Sequence, residues 1–247
     1  MIVCLRQTGQ MDAHARAEML AIEGRRILEV SIDLDAAVPS CPGWFARDLL
    51  GHVAGAWQAF AAIIDAGSTE PPDFSVFTGA PEDDDAALRT FVEAQLEAIV
   101  AAVAGADSDQ AVWSWNGTTT MGFYQRRAFH ESVIHRVDAE LAAGDPSPID
   151  GAVGIDGIDE LFTELVATPA TPPSGSFHLH QTDGDGELML EIADGSVVVR
   201  HEHTKGDAAL RASGEDLLLT MWGRRSVEGL ELFGDRVVAN EWIALAP

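Results

Sequence analysis

The sequence predicts an α plus α+β protein, in which an N-terminal four-helix bundle is followed by a small α+β domain. Apolar residues recur at helical spacing in four segments of the first half, as expected of a bundle. The second half has short apolar or alternating runs bounded by glycines, which are typical of strands. A length of 247 residues accommodates one large domain or two modest ones.

The four bundle helices are separated by residues that stop helices or favour their ends. Pro39 and Pro42 divide the first helix from the second. The acidic run at 82–85 suits the N-terminus of the third helix, and Gly105 closes it. A loop carrying Trp113 and Trp115 precedes the fourth. The predicted helices span about residues 11–30, 44–66, 82–105 and 121–143.

The second half begins with a short amphipathic helix, predicted at about 155–165. Glycine turns in DGDG and ADG indicate hairpins between the following strands. The strands are predicted at 177–181, 187–193, 196–201 and 208–212, followed by a helix at 214–222 and a closing strand pair at 230–232 and 237–238. We therefore expect a bundle domain over 11–147 and an α+β domain over 150–247, with the Pro-rich stretch 168–173 as a loop inside the second.

The composition excludes several classes of protein. With 40 acidic residues against 15 basic ones, the formal charge is −25, which disfavours nucleic acid and anionic membranes as partners. No stretch approaches 18 uninterrupted apolar residues, and the N-terminus lacks the apolar core of a signal peptide. Cys4 and Cys41 are too few for a disulfide framework. We expect a cytoplasmic protein whose translation starts at Met1 or Met11. A monomer is the favoured oligomeric state.

The strongest candidate site is on the fourth helix. Glu131 and His135 are four residues apart and therefore share one helical face. His52, in the apolar stripe of the second helix, offers a third ligand from the bundle interior. Two imidazoles and one carboxylate match a catalytic zinc site with an open fourth position. The alternative is a surface pair of Glu131 and His135 with His52 as a hydrogen-bonded core histidine.

Two neighbours on the same helix are assigned other roles. His130 lies about 100° round the helix from Glu131, so its side chain cannot easily reach the point on which Glu131 and His135 converge. It is therefore interpreted as structural. Asp138, three residues after His135, either orients that ligand, pairs with Arg136 or faces solvent. The solvent interpretation is favoured.

Two further features carry weaker predictions. His178, His180, His201 and His203 form two i,i+2 pairs, so each pair shares a strand face and two adjacent strands would offer four imidazoles to a metal. A polar strand face turned to water explains the same pattern, and no carboxylate is expected in register with them. Arg224 and Arg225 follow Gly223 and either bind an anionic ligand or compensate the acidic surface.

Two segments resemble a known family. VPSCPGWFARDLLGHVAGAW and GFYQRRAFHESVIHRVDAELAAG are similar to the maleylpyruvate isomerase N-terminal domain of mycothiol-dependent metalloenzymes, a branch of the DinB-like four-helix bundles. The tail, with TDGDGELMLEI, LLLTMWGRR and LFGD, is similar to the family's C-terminal domain, an α+β module related to sterol-carrier folds.

The resemblance implies a zinc triad of His52, Glu131 and His135, and an arginine of the C-terminal domain near the metal, matched by Arg224 or Arg225. It also implies Zn²⁺ and mycothiol as cofactors in an actinobacterial cytosol. The expected activity is cis-trans isomerisation or S-transfer on a small electrophilic, acidic substrate, at an active site between the domains. The alternative is a non-catalytic protein that binds a metal or small ligand on the same fold.

Overall fold

The computed structural model describes residues 12–81, 83–115 and 117–246. The chain divides into two compact units, the first ending at Ser147 and the second beginning at Pro148. The first is helical and the second is built on a sheet, which confirms the predicted fold class. Met11, Cys4 and Glu82 lie outside the described residues, as does the predicted start of translation.

Four long helices form the first unit. The first helix and the second helix each pack against both the third and the fourth. The first and second therefore lie diagonally opposite each other, and so do the third and fourth. The core between them is apolar, with Leu20, Val53, Trp57 and Ile99 fully buried. The helices are α1 (Ala13–Val30), α2 (Ala46–Ala66), α3 (Asp85–Gly105) and α4 (Met121–Ala143).

Polar caps explain where these helices begin and end. The Asp48 side chain accepts a hydrogen bond of 2.8 Å from the backbone N–H of Phe45, and therefore α2 begins at Ala46, two residues later than predicted. Asp84 caps α3 by accepting from the backbone of Ala86 and Ala87. Gly144 ends α4 in the left-handed conformation, at φ 71°.

Helix α2 is the most apolar of the bundle. Among the described residues it is the one helix whose length and hydropathy would allow it to cross a membrane. Leu49, Leu50 and Trp57 on its inner face are nonetheless fully buried within the bundle. The Trp57 indole donates a 3.0 Å hydrogen bond to Ser132 and so joins α2 to α4. The composition of α2 is that of a core helix.

The segment before α4 is a hairpin and not the predicted loop. Strands β1 (Ala111–Ser114) and β2 (Gly117–Thr120) pair antiparallel, with Trp113 opposite Thr118. Gly117 has a φ of +119°, which a side chain would strain. The Asn116–Gly117 dipeptide is a hairpin turn signal that would have revealed this element.

The second unit contains a five-stranded sheet in the order β5-β4-β3-β6-β7. All neighbours are antiparallel except β3 and β6, which are parallel. The first four strands lie where the sequence predicts them, within one residue. Their bounds are β3 (Phe177–Gln181), β4 (Glu187–Ala193), β5 (Ser196–Arg200) and β6 (Ala208–Ala212), and β7 is Glu231–Gly234.

Three helices accompany the sheet. Helix α5 (Gly151–Glu160) begins earlier than predicted because Asp150 caps it, and it continues as a π-helical turn (Leu161–Leu165). Helix α6 spans Gly214–Met221. The predicted strand at 237–238 is wrong, because α7 covers Arg236–Ile243. Its Asp235 cap and buried Val238, Ala239 and Trp242 are helical signals.

Candidate metal centre

Neighbouring helices α2 and α4 bring three side chains to one point. Glu131 and His135 lie one turn apart on α4, and His52 faces them from α2. Oε1 of Glu131 lies 3.1 Å from Nε2 of His52 and 3.2 Å from Nε2 of His135. The two imidazole rings meet nearly edge to face, with centroids 4.9 Å apart. One potential ligand atom of each of the three residues therefore lies within 4.8 Å of the other two.

The cluster is buried on one side and open on the other. The side chains of His135 and Glu131 are only 9% and 15% exposed, whereas His52 is 44% exposed. The expectation that His52 faces the bundle interior is therefore wrong, and its ring instead packs against Trp44 with centroids 5.0 Å apart. A small molecule can approach the focus from the side of His52.

Asp138 orients His135. Its Oδ2 lies 2.8 Å from Nδ1 of His135, and the carboxylate is fully buried. The predicted solvent-facing role is therefore wrong, because the three-residue spacing places Asp138 behind the ring and away from water. Cys41 donates a longer hydrogen bond, of 3.5 Å, to the same oxygen. With Nδ1 held by Asp138, Nε2 of His135 is the atom presented to Glu131.

Arg127 is a site residue that the sequence reasoning did not single out. Its guanidinium donates a 3.2 Å hydrogen bond to Oε2 of Glu131, and its side chain is only 5% exposed. The signal was present, because Arg127 precedes Glu131 by four residues on the same helical face. The contact holds one carboxylate oxygen and leaves Oε1 facing the two histidines.

The charges at the focus are strongly coupled. Burial alone would raise the pKa of Glu131, but hydrogen bonds with His135 and His52 and the charge of Arg127 outweigh it and hold that pKa well below the ordinary value. Burial alone would lower the pKa of His135, but hydrogen bonds with Asp138 and Glu131 outweigh it and raise the pKa to about 9. At neutral pH an ionised carboxylate therefore faces an imidazolium.

The donor set suits a divalent metal ion. Two imidazole nitrogens and one carboxylate oxygen are the ligands of many catalytic zinc sites, in which three protein ligands leave one position for water or substrate. The Asp138–His135 pair is the carboxylate–histidine arrangement that commonly supports such a ligand. The exposed side of His52 leaves room for a fourth ligand.

His130 is buried but does not belong to the cluster of His52, Glu131 and His135. It is 1% exposed, and its ring packs against Phe129 with centroids 5.0 Å apart. That position agrees with its interpretation as a structural residue.

The arginine pair belongs to the second unit. Arg224 donates a 2.8 Å hydrogen bond to the carbonyl of Trp222, and its guanidinium lies 5.8 Å from that indole. Arg225 instead pairs with Asp216 and, at 3.1 Å, with Glu215. Arg225 is therefore matched by two carboxylates of its own unit.

The strand histidines separate into two groups. His178, His180 and His203 gather around Glu187, which is paired with His180 across β3 and β4. The expectation that no carboxylate lies in register is therefore wrong, because the turn at 182–186 brings Glu187 back opposite His180. His201 lies apart from them and pairs with Asp159 at 2.8 Å.

Comparisons with known proteins match both units. Residues 22–140 match the family model described as the mycothiol maleylpyruvate isomerase N-terminal domain, and residues 152–241 match the MDMPI C-terminal domain. A crystal structure of the mycothiol-dependent maleylpyruvate isomerase is similar at 13% identity and a TM-score of 0.63, covering 90% of this chain and 93% of that one. A histidine-to-alanine mutant of that isomerase gives 14% identity, a TM-score of 0.65 and the same coverage. No curated protein matches.

Proposed function

We propose a function from one premise: this chain belongs to the mycothiol maleylpyruvate isomerase family, as its two domain matches show. The proposal is a zinc-dependent enzyme that acts on a small electrophilic and acidic substrate. It would use mycothiol either to isomerise that substrate or to become attached to it through the mycothiol sulfur. The observation that carries it is the convergence of His52, Glu131 and His135 on one point. The cytoplasm of an actinobacterium is the setting we propose.

The three side chains would hold Zn²⁺ through Nε2 of His52, Nε2 of His135 and Oε1 of Glu131. A bound Zn²⁺ would supply Lewis acidity, which lowers the pKa of a thiol at the remaining position into the neutral range. Mycothiol would supply the nucleophile. Its reversible addition to a conjugated cis double bond would permit rotation about that bond before the thiol leaves. In a transferase the thiol would instead stay on the product.

The chain's own residues prepare this chemistry by orientation. Asp138 fixes His135 through Nδ1, and Arg127 fixes Glu131 through Oε2. The two inward-facing atoms, Nε2 of His135 and Oε1 of Glu131, are therefore positioned before any ligand arrives, which reduces the conformational entropy lost on binding. His52, the most exposed of the three, lies on the side from which thiol and substrate would approach.

The substrate's charge is a second part of the proposal. A thiolate and an acidic substrate bring negative charge to a chain of formal charge −25, so binding needs a compensating cation. We assign that role to Arg224, with Arg225 as the alternative, because a guanidinium binds carboxylates in a bidentate manner. This assignment rests on the family resemblance and on the position of Arg224 directly after Gly223, where the backbone has a φ of 69°.

The test begins with metal analysis of untagged protein and a mycothiol titration with and without chelator. Maleylpyruvate isomerisation and conjugation of mycothiol to small electrophiles are then assayed. We expect thiol-dependent turnover that the chelator and Glu131→Gln both abolish. His14→Gln is the matched control, since His14 lies on the exposed face of α1 and pairs with Glu18.

The outcome separates the two functional classes. Thiol-dependent turnover identifies the enzyme, and the product distinguishes isomerase from transferase. Metal binding without any effect of mycothiol on the site or on turnover would contradict the proposal and favour the non-catalytic ligand-binding protein.

A further inference from the structure

A second group of convergent ligand atoms lies in the sheet of the second unit. His178 and His180 are two residues apart on β3, so their side chains lie on the same face of the sheet. Glu187, at the start of β4, lies directly opposite His180 on the neighbouring strand. His203, in the segment between β5 and β6, reaches the same carboxylate. The set of His178, His180, Glu187 and His203 is called the sheet cluster below, and one ligand atom of each lies within 4.8 Å of the others.

The glutamate is the centre of the sheet cluster. Its Oε2 lies 2.7 Å from Nε2 of His178, and its Oε1 lies 2.7 Å from Nδ1 of His180 and 3.0 Å from Nδ1 of His203. The arrangement repeats that of Glu131 with His52 and His135, where one carboxylate oxygen also faces two imidazole nitrogens. The sheet cluster adds a third imidazole.

Hydrogen bonds within the sheet cluster leave one of its buried nitrogen atoms without a partner. Nδ1 of His180 is buried and makes no hydrogen bond with any residue that the structure describes, although it lies close to Glu187. Buried polar atoms are normally satisfied, so this nitrogen calls for a partner. Burial alone would raise the pKa of Glu187, but hydrogen bonds with His203 and His178 and the charge of His180 outweigh it and lower that pKa. The carboxylate is therefore ionised at neutral pH.

We propose that the sheet cluster is a second divalent transition-metal site, for which Zn²⁺ is the best fit, bound by His178, His180, His203 and Glu187. Three imidazole nitrogens and one carboxylate oxygen are ligands that zinc accepts, whereas Mg²⁺ and Ca²⁺ prefer oxygen alone. Tetrahedral zinc with bonds of about 2.0–2.1 Å requires ligand atoms roughly 3.4 Å apart, which small rotations of these side chains reach.

Four protein ligands indicate a structural site. A tetrahedral zinc with four protein ligands has no open position for a substrate, so this site would hold the fold together. It would fasten the exposed segment that carries His203, whose side chain is 72% exposed, to strands β3 and β4. A cleft of about 500 Å³ beside His178 and His203, lined also by Thr204 and Lys205, gives an ion access to the sheet cluster.

The experiment isolates the sheet cluster in the full, untagged chain. The first site is removed by combining Glu131→Gln with His135→Ala, and binding of Zn²⁺ and Co²⁺ is measured by equilibrium dialysis and by the visible bands of tetrahedral Co²⁺. His203→Ala is then added, since the exposure of His203 makes misfolding a small concern. His201→Ala is the matched control, because it removes a nearby histidine that pairs with Asp159 outside the sheet cluster.

We expect one metal ion per chain in the first-site background, a loss of affinity of about tenfold or more with His203→Ala, and full binding with His201→Ala. Zinc should also raise the thermal midpoint of the background and not of its His203→Ala derivative. No binding in the background, or binding that both histidine variants change equally, would overturn the proposal. Because the first site is absent throughout, the result is independent of the proposed enzymatic function.

Discussion

At the residue scale, the raised pKa of His135 makes the affinity of the site for a metal ion depend on pH. With a pKa of about 9, His135 carries a proton at pH 7 that a metal must displace from Nε2. We expect zinc binding at pH 7 to release about one proton from His135, and the apparent affinity to rise about tenfold per pH unit between pH 6 and 8.5. Calorimetry in buffers of different ionisation enthalpy measures this release.

Asp138 supplies the comparison for that prediction. Replacing it by Asn keeps the shape and removes the charge that helps to raise the pKa of His135. Asp138→Asn should therefore release fewer protons at pH 7 and bind zinc about 10–100-fold more weakly at pH 8.5, where protons compete less. Equal proton release in both proteins would contradict the role given to Asp138.

Glu140 anchors α1 and the end of α4. Its carboxylate is 1% exposed and accepts hydrogen bonds from Arg26 at 2.8 Å, Arg136 at 2.7 Å and Ser147 at 2.9 Å. Burial alone would raise its pKa, but these contacts outweigh burial and lower it. The stabilisation is therefore complete above the unfolded pKa of about 4.3 and is lost as the pH falls through the lower folded value.

We expect Glu140→Gln to reduce the free energy of unfolding by roughly 3 kcal/mol at pH 7, because Arg26 and Arg136 both lose the buried negative charge with which they pair. The difference from wild type should shrink below about pH 4, as the wild-type carboxyl is protonated. Urea unfolding across pH 3–7 measures it. Glu93→Gln on the exposed face of α3 should change stability by less than about 0.5 kcal/mol, and a Glu140 effect independent of pH would contradict this account.

The residue scale also shows how far the sequence predicts the site. Helical spacing relates Glu131 to His135, and the apolar stripe around His52 points to α2, so the three-residue set follows from pattern and resemblance. The role of Asp138 depends on which side of α4 faces water, which a three-residue spacing cannot decide. Glu187 was overlooked because its register depends on the geometry of the turn at 182–186.

At the element scale, the close approach of α5 and α6 depends on glycine. A side chain at Gly154 would collide with the backbone carbonyl of Gly214, the first residue of α6. Alanine is ordinarily the better helix former by about 1 kcal/mol, so the collision must reverse that preference.

We expect Gly154→Ala to destabilise the protein by about 1–3 kcal/mol. Gly55→Ala in α2 meets open space and should stabilise it by about 0.5–1 kcal/mol. Denaturant unfolding of both variants measures the contrast. Equal stability of the two would show that α5 and α6 are free to separate.

Elements with strong periodicity were predicted well, and short ones were not. Helix α4 and strands β3, β4 and β6 match their predicted bounds, since a long apolar face or clean glycine turns define them. The β1–β2 hairpin has four-residue strands, too short for an alternating pattern to stand out. Helix α7 was mistaken for a strand because Val237 and Val238 are β-branched, a preference that the Asp235 cap and the buried Trp242 override.

At the scale of the whole molecule, the proposed reaction draws on residues of both units. The proposed metal ligands belong to the bundle, and the arginine proposed to bind the substrate's negative charge belongs to the second unit. We expect Arg224→Ala to leave the zinc content unchanged and to lower thiol-dependent turnover at least about tenfold, or about 1.4 kcal/mol of transition-state stabilisation. Steady-state kinetics with zinc-loaded protein measure this.

Arg225→Ala is the natural comparison, because Arg225 is the neighbouring guanidinium and the alternative candidate for the same role. It should affect turnover less than Arg224→Ala. Normal turnover of the double variant would exclude both residues from substrate binding while leaving the metal site intact.

The most direct test of the central claim is anomalous diffraction at the zinc edge from crystals of the untagged, zinc-loaded protein. We predict a peak within about 2.0–2.2 Å of Nε2 of His52, Oε1 of Glu131 and Nε2 of His135, and no peak there in Glu131→Gln. A zinc-loaded crystal with no anomalous density among these three side chains would contradict the account.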